Sequence, residues 1–260
     1  MDPRRKTGKN GEEQGISPSA LKMRMLKKLR CTQRFEKLAW QAGAKLVAGV
    51  DEVGRGSLFG PVVAAAVILN PEDRIRGLRD SKLLPPERRE VLAAQIRERA
   101  VCFAIAEVDS ATIDAINIYQ ASRRAMLQAV QLLSLRPDHL LIDAMQIDFE
   151  CAQTKIIHGD ALSASIAAAS IIAKVERDRM MRELHEVYPH YNLASNKGYS
   201  TPTHIRCLRE HGPSPLHRQS FAPVWNSRLK APQEVLDFMM ENESAEPTDS
   251  QTDPGFIADA

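Results

Sequence analysis

Short apolar runs alternate with amphipathic stretches through the middle of the chain. The runs are rich in valine, isoleucine, leucine and alanine and have the length of buried strands. They predict five strands, over 46–51, 61–69, 101–108, 139–143 and 154–158. Apolar positions at helical spacing predict helices over 19–42, 85–99, 118–135 and 163–188. This order favours an α/β fold, in which a mixed five-stranded sheet is flanked by helices and followed by a C-terminal helical segment.

The two ends of the chain differ from this central part in charge. Residues 1–35 carry a net charge of +7, whereas residues 228–260 carry −6. We therefore predict a basic N-terminal arm over 1–44, partly disordered and partly helical, then a folded domain over 45–227. An acidic, largely disordered tail follows over 228–260, with one short amphipathic stretch after Ala231. A polyanionic partner would suit the basic arm, and a solvated tail is the alternative.

Composition places the chain among globular proteins. Of its 260 residues, 43% are hydrophobic and 26% are charged, which excludes collagen-like and fully disordered chains. The longest apolar run, over 61–69, is far shorter than the roughly 20 residues of a membrane helix. The four cysteines are widely spaced and the N-terminus is polar, which argues against a zinc site, a disulfide framework and a secretory signal. We expect a cytoplasmic monomer.

Four acidic residues stand next to predicted strands. Asp51 and Glu52 come at the end of the first strand, Asp143 ends the fourth, and Asp160 follows the fifth. Open α/β sheets bind ligands beyond the carboxyl ends of their strands, and converging carboxylates need a cation to relieve their repulsion. Oxygen ligands suit Mg²⁺ or Mn²⁺, and two such ions about 4 Å apart promote phosphodiester hydrolysis. For each acid taken alone, a role in a turn or a helix cap is the alternative.

The segment after the first strand contains two glycines around an arginine. Gly54 and Gly56 leave the backbone open to close approach by a ligand, and Arg55 can reach a phosphate. Four other basic residues are candidates for phosphate contacts, with a solvated charge as the alternative for each: Lys82, Lys174, Lys197 and Arg218.

The segment over 48–61, AGVDEVGRGSLFGP, resembles the signature of bacterial ribonuclease HII. Further blocks resemble that family in the same order, and together they span roughly residues 45–226. They are Asp-Ser-Lys at 80–82, Leu-Ile-Asp at 141–143, His-Gly-Asp at 158–160, a helical block at 167–179, Lys-Gly-Tyr at 197–199 and His-Arg-Gln-Ser-Phe at 217–221. Ala144 stands where many relatives have glycine and His158 where lysine is common. Both departures leave every acid in place.

The resemblance implies a ribonuclease H-like fold and a hydrolase of the ribonuclease H class. Such an endonuclease cleaves the RNA strand of RNA–DNA hybrids with Mn²⁺ or Mg²⁺, two divalent ions being held when substrate is bound. The resemblance also implies cleavage on the 5′ side of single ribonucleotides embedded in duplex DNA. The products would carry 3′-hydroxyl and 5′-phosphate ends, as in ribonucleotide removal during replication and repair.

Site residues follow from the resemblance by position. The catalytic, metal-binding acids would be Asp51, Glu52, Asp143 and Asp160. The loop that recognises the ribonucleotide 2′-hydroxyl would be Gly54, Arg55 and Gly56, with Tyr199 packed on the neighbouring deoxyribose. The 2′-hydroxyl is the group that distinguishes RNA from DNA, so a reader of single ribonucleotides must contact it.

Two other functions stay open on the sequence alone. A protein that binds hybrids without cleaving them would need a basic groove but not all four acids. A ribonuclease HIII-like enzyme without junction specificity shares the acids, although its glycine loop typically carries lysine where Arg55 stands. The implied partners are RNA–DNA hybrids and duplex DNA that contains ribonucleotides, and contact with a replication clamp is left open.

Overall fold

The computed structural model describes residues 24–26 and 28–228. The strands are β1 (Val47–Val53), β2 (Val62–Ile68), β3 (Cys102–Val108), β4 (His139–Asp143) and β5 (Ala152–Ile156). The helices are α1 (Arg34–Gln41), α2 (Pro86–Arg99), α3 (Ser110–Gln131), α4 (Gly159–Leu162), α5 (Ala164–Val187), α6 (Leu193–Asn196), α7 (Pro202–His211) and α8 (Ala222–Asn226). The first half of the predicted arm and nearly all of the predicted tail, with its amphipathic stretch, lie outside the described residues. The division into three parts therefore stays a prediction.

The five strands form one mixed sheet in the order β3-β2-β1-β4-β5. Strands β3, β2 and β1 are antiparallel neighbours, whereas β4 pairs with β1, and β5 with β4, in parallel. This confirms the predicted sheet. The parallel register aligns Val50 with Ile142, so the next residues, Asp51 and Asp143, lie at the same end of the sheet.

Helices cover both faces of the sheet. All seven residues of β2 are buried. Since successive side chains of a strand point to opposite faces of the sheet, both faces must be covered at this strand. Val62 and Ala64 belong to the core under α3, while Val63 and Ala65 belong to the core under α2 and α5. Burial on both faces explains the continuous apolar run over 61–69. In the part of the chain that the structure describes, no helix is both long and apolar enough to cross a membrane.

The long helix α5 lies directly against β1. Its first ten residues are alanine, serine and isoleucine, and all of them are buried. A Cβ atom at Gly49 would lie 2.0 Å from the main-chain carbonyl carbon of Ser165, so only glycine fits at this position. This close approach places the residues of α5 beside Asp51 on the neighbouring strand.

The helix predicted over 118–135 begins earlier and ends earlier in the structure, where it is α3 (Ser110–Gln131). Helix α3 is kinked at Asn117, which has a φ of 66°, and the Asn117 side chain caps the second half by accepting N–H groups of the next turn. Asp109 caps the first half by accepting the N–H of Thr112 at 2.7 Å. The prediction began the helix at Ile118, just after the kink, and so missed the turns from Ser110 onward.

Two other predicted elements have different bounds. Strand β5 ends at Ile156, two residues before the predicted end, because His158 has a left-handed φ of 58° and leaves the sheet. The helix predicted over 19–42 is interrupted within its described part. Residues 24–26 are helical, Thr32 is extended, and α1 follows.

Helix α1 is fastened to the start of α5 through Glu36. The Glu36 side chain is 1% exposed, and its Oε1 accepts the Ser163 hydroxyl at 2.6 Å and the Ser165 N–H at 2.8 Å. A carboxylate at the N-terminus of a helix is favoured by the helix dipole. Thr32 adds two backbone hydrogen bonds, to Leu162 and from Ala164. The described residues from Thr32 onward therefore pack against the main body of the protein.

Candidate functional site

Strand β1 carries the first two of the four predicted acids. The strand continues to Val53, which pairs with Val63, so Asp51 and Glu52 lie inside the strand and not at its end as predicted. Asp51 is 4% exposed, and its Oδ1 accepts the N–H of Glu52 at 2.8 Å. Antiparallel pairing with β2 includes both residues, and parallel pairing with β4 ends just before them, at Val50.

Asp143 ends β4, as predicted. Its Oδ1 accepts the N–H of Gly159 at 2.8 Å, and this hydrogen bond connects β4 to the turn that follows β5. A Cβ atom at Gly159 would lie 3.3 Å from the same oxygen and 2.6 Å from the side chain of Ile166. The turn therefore fits closely around the carboxylate.

Asp160 is the second residue of the short helix α4 and does not directly follow a strand. It is 4% exposed, and its Oδ2 accepts the Lys82 Nζ–H at 3.2 Å. The Lys82 ammonium also lies 3.9 Å from Oδ1 of Asp80. Lys82, which the sequence suggested as a phosphate contact, thus pairs with a predicted metal ligand in the structure. Nothing in the sequence indicated this ion pair.

One cavity of about 600 Å³ gathers most of the predicted site. It opens where β1 and β4 end, and residues from the glycine loop and from α5 line its sides. The predicted residues in its lining are Asp51, Glu52, Gly54, Arg55, Gly56, Lys82, Asp143 and Tyr199. Asp160 does not line it but is joined to it through Lys82. The structure therefore brings together side chains that are far apart in the sequence.

Burial and like charges dominate the electrostatics of this cavity. Burial raises the pKa of Asp51 well above its usual range, and the carboxylates of Glu52 and Asp143 raise it further. Burial also raises the pKa of Glu52, although Arg55 acts against this, and burial raises the pKa of Asp143. Glu52 Oε2 is buried without a hydrogen-bond partner. The nearby cations therefore do not offset the burial and mutual repulsion of these three carboxylates.

This donor set fits a hard divalent cation. Carboxylate oxygens are the ligands that Mg²⁺ and Mn²⁺ prefer, and the unpartnered Glu52 oxygen is available to a cation. Among residues 24–26 and 28–228, no three His, Cys, Asp or Glu side chains already stand at metal-ligand spacing. Small side-chain movements, and release of Asp160 by Lys82, would be needed to draw the carboxylates around an ion.

Two backbone N–H groups of the glycine loop are without a protein acceptor among the described residues. Gly54 has a φ of +92°, and its carbonyl accepts the N–H of Ser57 at 3.2 Å. These two N–H groups are those of Arg55 and Gly56. A Cβ atom at Gly56 would meet no atom within 4 Å. The Arg55 side chain, 43% exposed, pairs with Glu52 at 3.3 Å.

Tyr199 also lines the cavity. It forms an isolated antiparallel bridge with Ser57, which connects it to the glycine loop. The Arg177 guanidinium lies 5.7 Å from the centre of its ring. The half-buried ring therefore presents its remaining surface to the cavity.

The other basic candidates have different surroundings. Lys174 lines the cavity and pairs with Asp178, four residues later on the same helix, at 2.6 Å. Asp178 is 6% exposed and also contacts Arg89. Lys197 donates to the carbonyl of Ala194. Arg218 is fully buried, so the interpretation of Arg218 as a phosphate contact is wrong.

Sequence reasoning missed the structural roles of two arginines. Arg177 and Arg218 are both 0% exposed, and both hold backbone carbonyls of the chain between β1 and β2. Their only sequence signal is their position inside the blocks over 167–179 and 217–221. Nothing in a linear pattern distinguishes a buried arginine from an exposed one.

Comparisons with known proteins agree with the fold and with the order of these blocks. The family model described as ribonuclease HII matches residues 48–224. A curated ribonuclease HII from Koribacter versatilis is 63% identical over 252 residues, which cover 97% of this chain and 96% of that protein.

Two solved structures are similar over most of their length. The ribonuclease H2 from Pyrococcus horikoshii aligns with a TM-score of 0.62 and 25% identity, covering 70% of this chain and 97% of that one. The ribonuclease HII of a complex with PCNA from Archaeoglobus fulgidus aligns with a TM-score of 0.60 and 28% identity, covering 73% of this chain and 100% of that one. The expected ribonuclease H-like fold is confirmed.

Proposed function

The chain belongs to the ribonuclease HII family, enzymes that hydrolyse RNA in RNA–DNA hybrids, and on that premise we propose how its own residues do so. The proposed site is the cavity at the ends of β1 and β4. The observation that carries the proposal is the convergence of Asp51, Glu52 and Asp143 there, with raised pKa values and an unpartnered carboxylate oxygen. Asp160 completes the set from α4.

In this proposal the four acids hold divalent metal, Mn²⁺ or Mg²⁺. Two bound ions would supply an activated water and would neutralise the charge on the leaving oxygen. The strand backbone fixes Asp51 and Glu52, and the N–H of Gly159 orients Asp143. Lys82 keeps Asp160 partly neutralised in the absence of metal and then becomes free to contact a substrate phosphate. The products would carry 3′-hydroxyl and 5′-phosphate ends.

The glycine loop and Tyr199 give the proposal its finer part, which is incision 5′ of a single ribonucleotide in duplex DNA. The free N–H groups of Arg55 and Gly56 face a ligand that approaches the loop, and each can donate to a sugar oxygen or a phosphate oxygen. The Tyr199 ring would pack on the next sugar, where an additional hydroxyl would not fit well. Together these contacts would recognise the junction between ribose and deoxyribose.

The test of the reaction uses a labelled DNA duplex with one ribonucleotide, a uniform RNA–DNA hybrid and an all-DNA duplex. Each is incubated with Mn²⁺, with Mg²⁺ or with a chelator. We expect metal-dependent incision of the first two and none of the third. Cleavage of the hybrid alone would remove junction recognition from the proposal, and cleavage that survives the chelator would remove the metal.

A single substitution tests the approach of substrate to the loop. Gly56→Ala adds a methyl group where the protein itself has open space, so folding should be unchanged. Because the methyl group would stand between the backbone and a close ligand, we expect incision at a single ribonucleotide to fall about a hundredfold, as for a misplacement of about 1 Å. Unchanged incision by Gly56→Ala would show that substrate does not contact this part of the loop.

Family membership answers the two alternatives in part. An enzyme is shown, which excludes a protein that only binds hybrids, and the matching family is ribonuclease HII and not ribonuclease HIII. The monomeric state and the cytoplasmic location stay predictions. The complex of the Archaeoglobus protein with PCNA supports a further proposal that this chain contacts a replication clamp. Co-elution with the clamp in size-exclusion chromatography would test it.

A further inference from the structure

Arg177 and Arg218 are buried cations without a carboxylate partner. Both are 0% exposed, and neither forms an ion pair within the described ranges. Buried arginines are normally paired, because an unpaired charge is expensive to remove from water. Burial, together with the neighbouring Arg177, lowers the pKa of Arg218 to about 9. Two such side chains in one region indicate a requirement that outweighs this cost.

Backbone carbonyls of the glycine loop and its continuation take the place of carboxylates. Arg218 donates through Nη1 to the carbonyl of Arg55 at 2.8 Å and through Nε to that of Gly60 at 3.0 Å. Arg177 donates to the carbonyls of Phe59 at 3.0 Å and Pro61 at 3.2 Å. The two arginines thus bind four backbone carbonyls of the segment between β1 and β2.

The hydrogen bond to Arg55 bears directly on the cavity. A peptide unit presents its carbonyl and its N–H in opposite directions. With the Arg55 carbonyl held inward by Arg218, the N–H of Gly56 in the same peptide unit is turned outward, where it has no protein acceptor. Loss of this anchor would let the peptide rotate and would misdirect that donor.

Arg177 connects the loop to Tyr199. Its Nε would lie 2.2 Å from a Cβ atom at Gly54, so it packs directly beneath the loop. The same guanidinium lies under the Tyr199 ring and donates to the carbonyl of Lys197 at 2.9 Å. One side chain therefore sets the spacing between the two proposed recognition elements.

The geometry points to Arg218, supported by Arg177, as a positioning residue that fixes the glycine loop for discrimination of single ribonucleotides. This inference rests on the proposed junction recognition. Neither arginine touches substrate or metal ligands. Because the carboxylates are held by other elements, loss of Arg218 should disturb recognition and leave metal binding intact. A purely structural role would lower every activity in the same proportion.

The test compares kcat/KM for a duplex with one ribonucleotide against kcat/KM for a uniform hybrid. The variants are Arg218→Gln and Arg218→Lys, and the control is Arg206→Gln, which removes an exposed arginine of the adjacent helix α7. A uniform hybrid presents a 2′-hydroxyl at every position, so an imprecise loop should impair it less. We expect the ratio to fall at least about tenfold in Arg218→Gln and less in Arg218→Lys, which can keep one of the two hydrogen bonds.

Calorimetric titration with Mn²⁺ in the same variants should give the wild-type affinity. A ratio unchanged from wild type in folded Arg218→Gln or Arg218→Lys would overturn the inference, and so would a loss of Mn²⁺ affinity. Arg218→Lys keeps the charge and decides the question if Arg218→Gln does not fold. Failure of the wild type itself to incise at a single ribonucleotide would instead refute the proposed junction recognition.

Discussion

Two clusters of buried charge lie in the region of the cavity, one of carboxylates that line it and one of arginines behind the glycine loop. On the acidic side, Asp51, Glu52 and Asp143 repel one another, and a carboxylate oxygen of Glu52 has no partner. On the basic side, Arg177 and Arg218 are deeper, and five of their six guanidinium nitrogens donate to backbone carbonyls, whereas Nη2 of Arg218 has no partner among the described residues. The carboxylates thus face one another's charge, and the arginines are held largely by the backbone.

This difference separates a binding requirement from a structural one. Polar groups that are buried for stability are normally satisfied by the protein, whereas unsatisfied ones call for a ligand or another explanation. In the proposed function, the acidic side would take up a cation from solution, which would relieve its repulsion. The basic side is held largely by backbone carbonyls of the chain itself.

The largest expected effect comes from removing one charge on the acidic side. Asp51→Asn should reduce metal-dependent cleavage by about 10³-fold, since metal activation contributes several kcal/mol. The same change should raise the melting temperature of the metal-free protein, because it relieves repulsion between buried carboxylates. Cleavage assays and thermal melts in chelator measure both, with Asp148→Asn, an exposed aspartate, as control. Full activity, or a lower metal-free melting temperature, would contradict the comparison.

Glu36 sharpens the comparison, because it is a buried acid away from the other carboxylates whose Oε1 accepts two hydrogen bonds, although its Oε2, like that of Glu52, has no partner. Glu36→Ala removes an acceptor for the Ser163 hydroxyl and the Ser165 N–H, so we expect a loss of about 2 kcal/mol in the free energy of unfolding. Glu36→Gln should lose less, since an amide oxygen can still accept. Denaturant unfolding measures both changes. An increase in stability in Glu36→Ala would show that this carboxylate behaves like those in the cavity.

The histidines on the basic side give the pH dependence. His217 and His204 are fully buried and joined at 3.1 Å. Burial, with His204 close by, lowers the pKa of His217 from 6.5 to about 3. The unfolded chain therefore takes up a proton that the folded protein excludes, and stability present above pH 6.5 is lost as the pH falls towards 3. The slope for one such group is about 1.4 kcal/mol per pH unit.

The acidic side has the opposite sign. Its raised pKa values mean that the metal-free folded protein takes up protons more readily than the unfolded chain, so acid favours folding there. Denaturant unfolding at pH 7 and pH 5 gives the free energy of unfolding of wild type and of His217→Asn. The difference between the two proteins contains the contribution of His217 and not that of the carboxylates, so we expect it to change with pH. His211→Gln, an exposed histidine, is the control. A difference that does not change with pH would mean that His217 titrates normally in the folded protein.

The smallest expected effect concerns the turn after Asp143. Ala144 has a φ of 51°, a left-handed conformation that costs a residue with a Cβ atom roughly 1–2 kcal/mol. Ala144→Gly should raise stability by about 0.5 kcal/mol, because greater freedom of glycine in the unfolded chain offsets part of the relief. Ala152→Gly, in the exposed edge strand β5, should instead lower stability in the same unfolding measurement. Equal changes in both variants would argue against strain at Ala144.

The bounds of single helices and strands could be predicted from the sequence better than the contacts between distant segments. Strand β4 has the predicted bounds, and α5 differs by one residue at each end, because an apolar run and a long alanine-rich helix are encoded locally. Asp160 was assigned to a strand end, since β5 was placed two residues late. The turn at His158 depends on the Asp143 carboxylate, which is far away in the sequence.

The roles of the arginines depend wholly on tertiary structure. Arg218 reads as one more basic residue in a charged segment, and only the fold reveals that it is enclosed behind the glycine loop. Gly54, Arg55 and Gly56 could be singled out because glycine has a local conformational meaning. Which of their N–H groups are free could not be predicted, because that depends on carbonyls held by partners more than a hundred positions away.

The parallel pairing of β1 with β4 has a consequence for how the protein is made. The hairpin of β1 and β2, extended by β3, consists of neighbours in sequence and can form while synthesis is still under way. Asp143 is translated only after α3, and Asp160 later still. A nascent or truncated chain can thus have an ordered hairpin and still lack the assembled set of acids. In the proposed function, nuclease activity would arise only after β4 has docked beside β1.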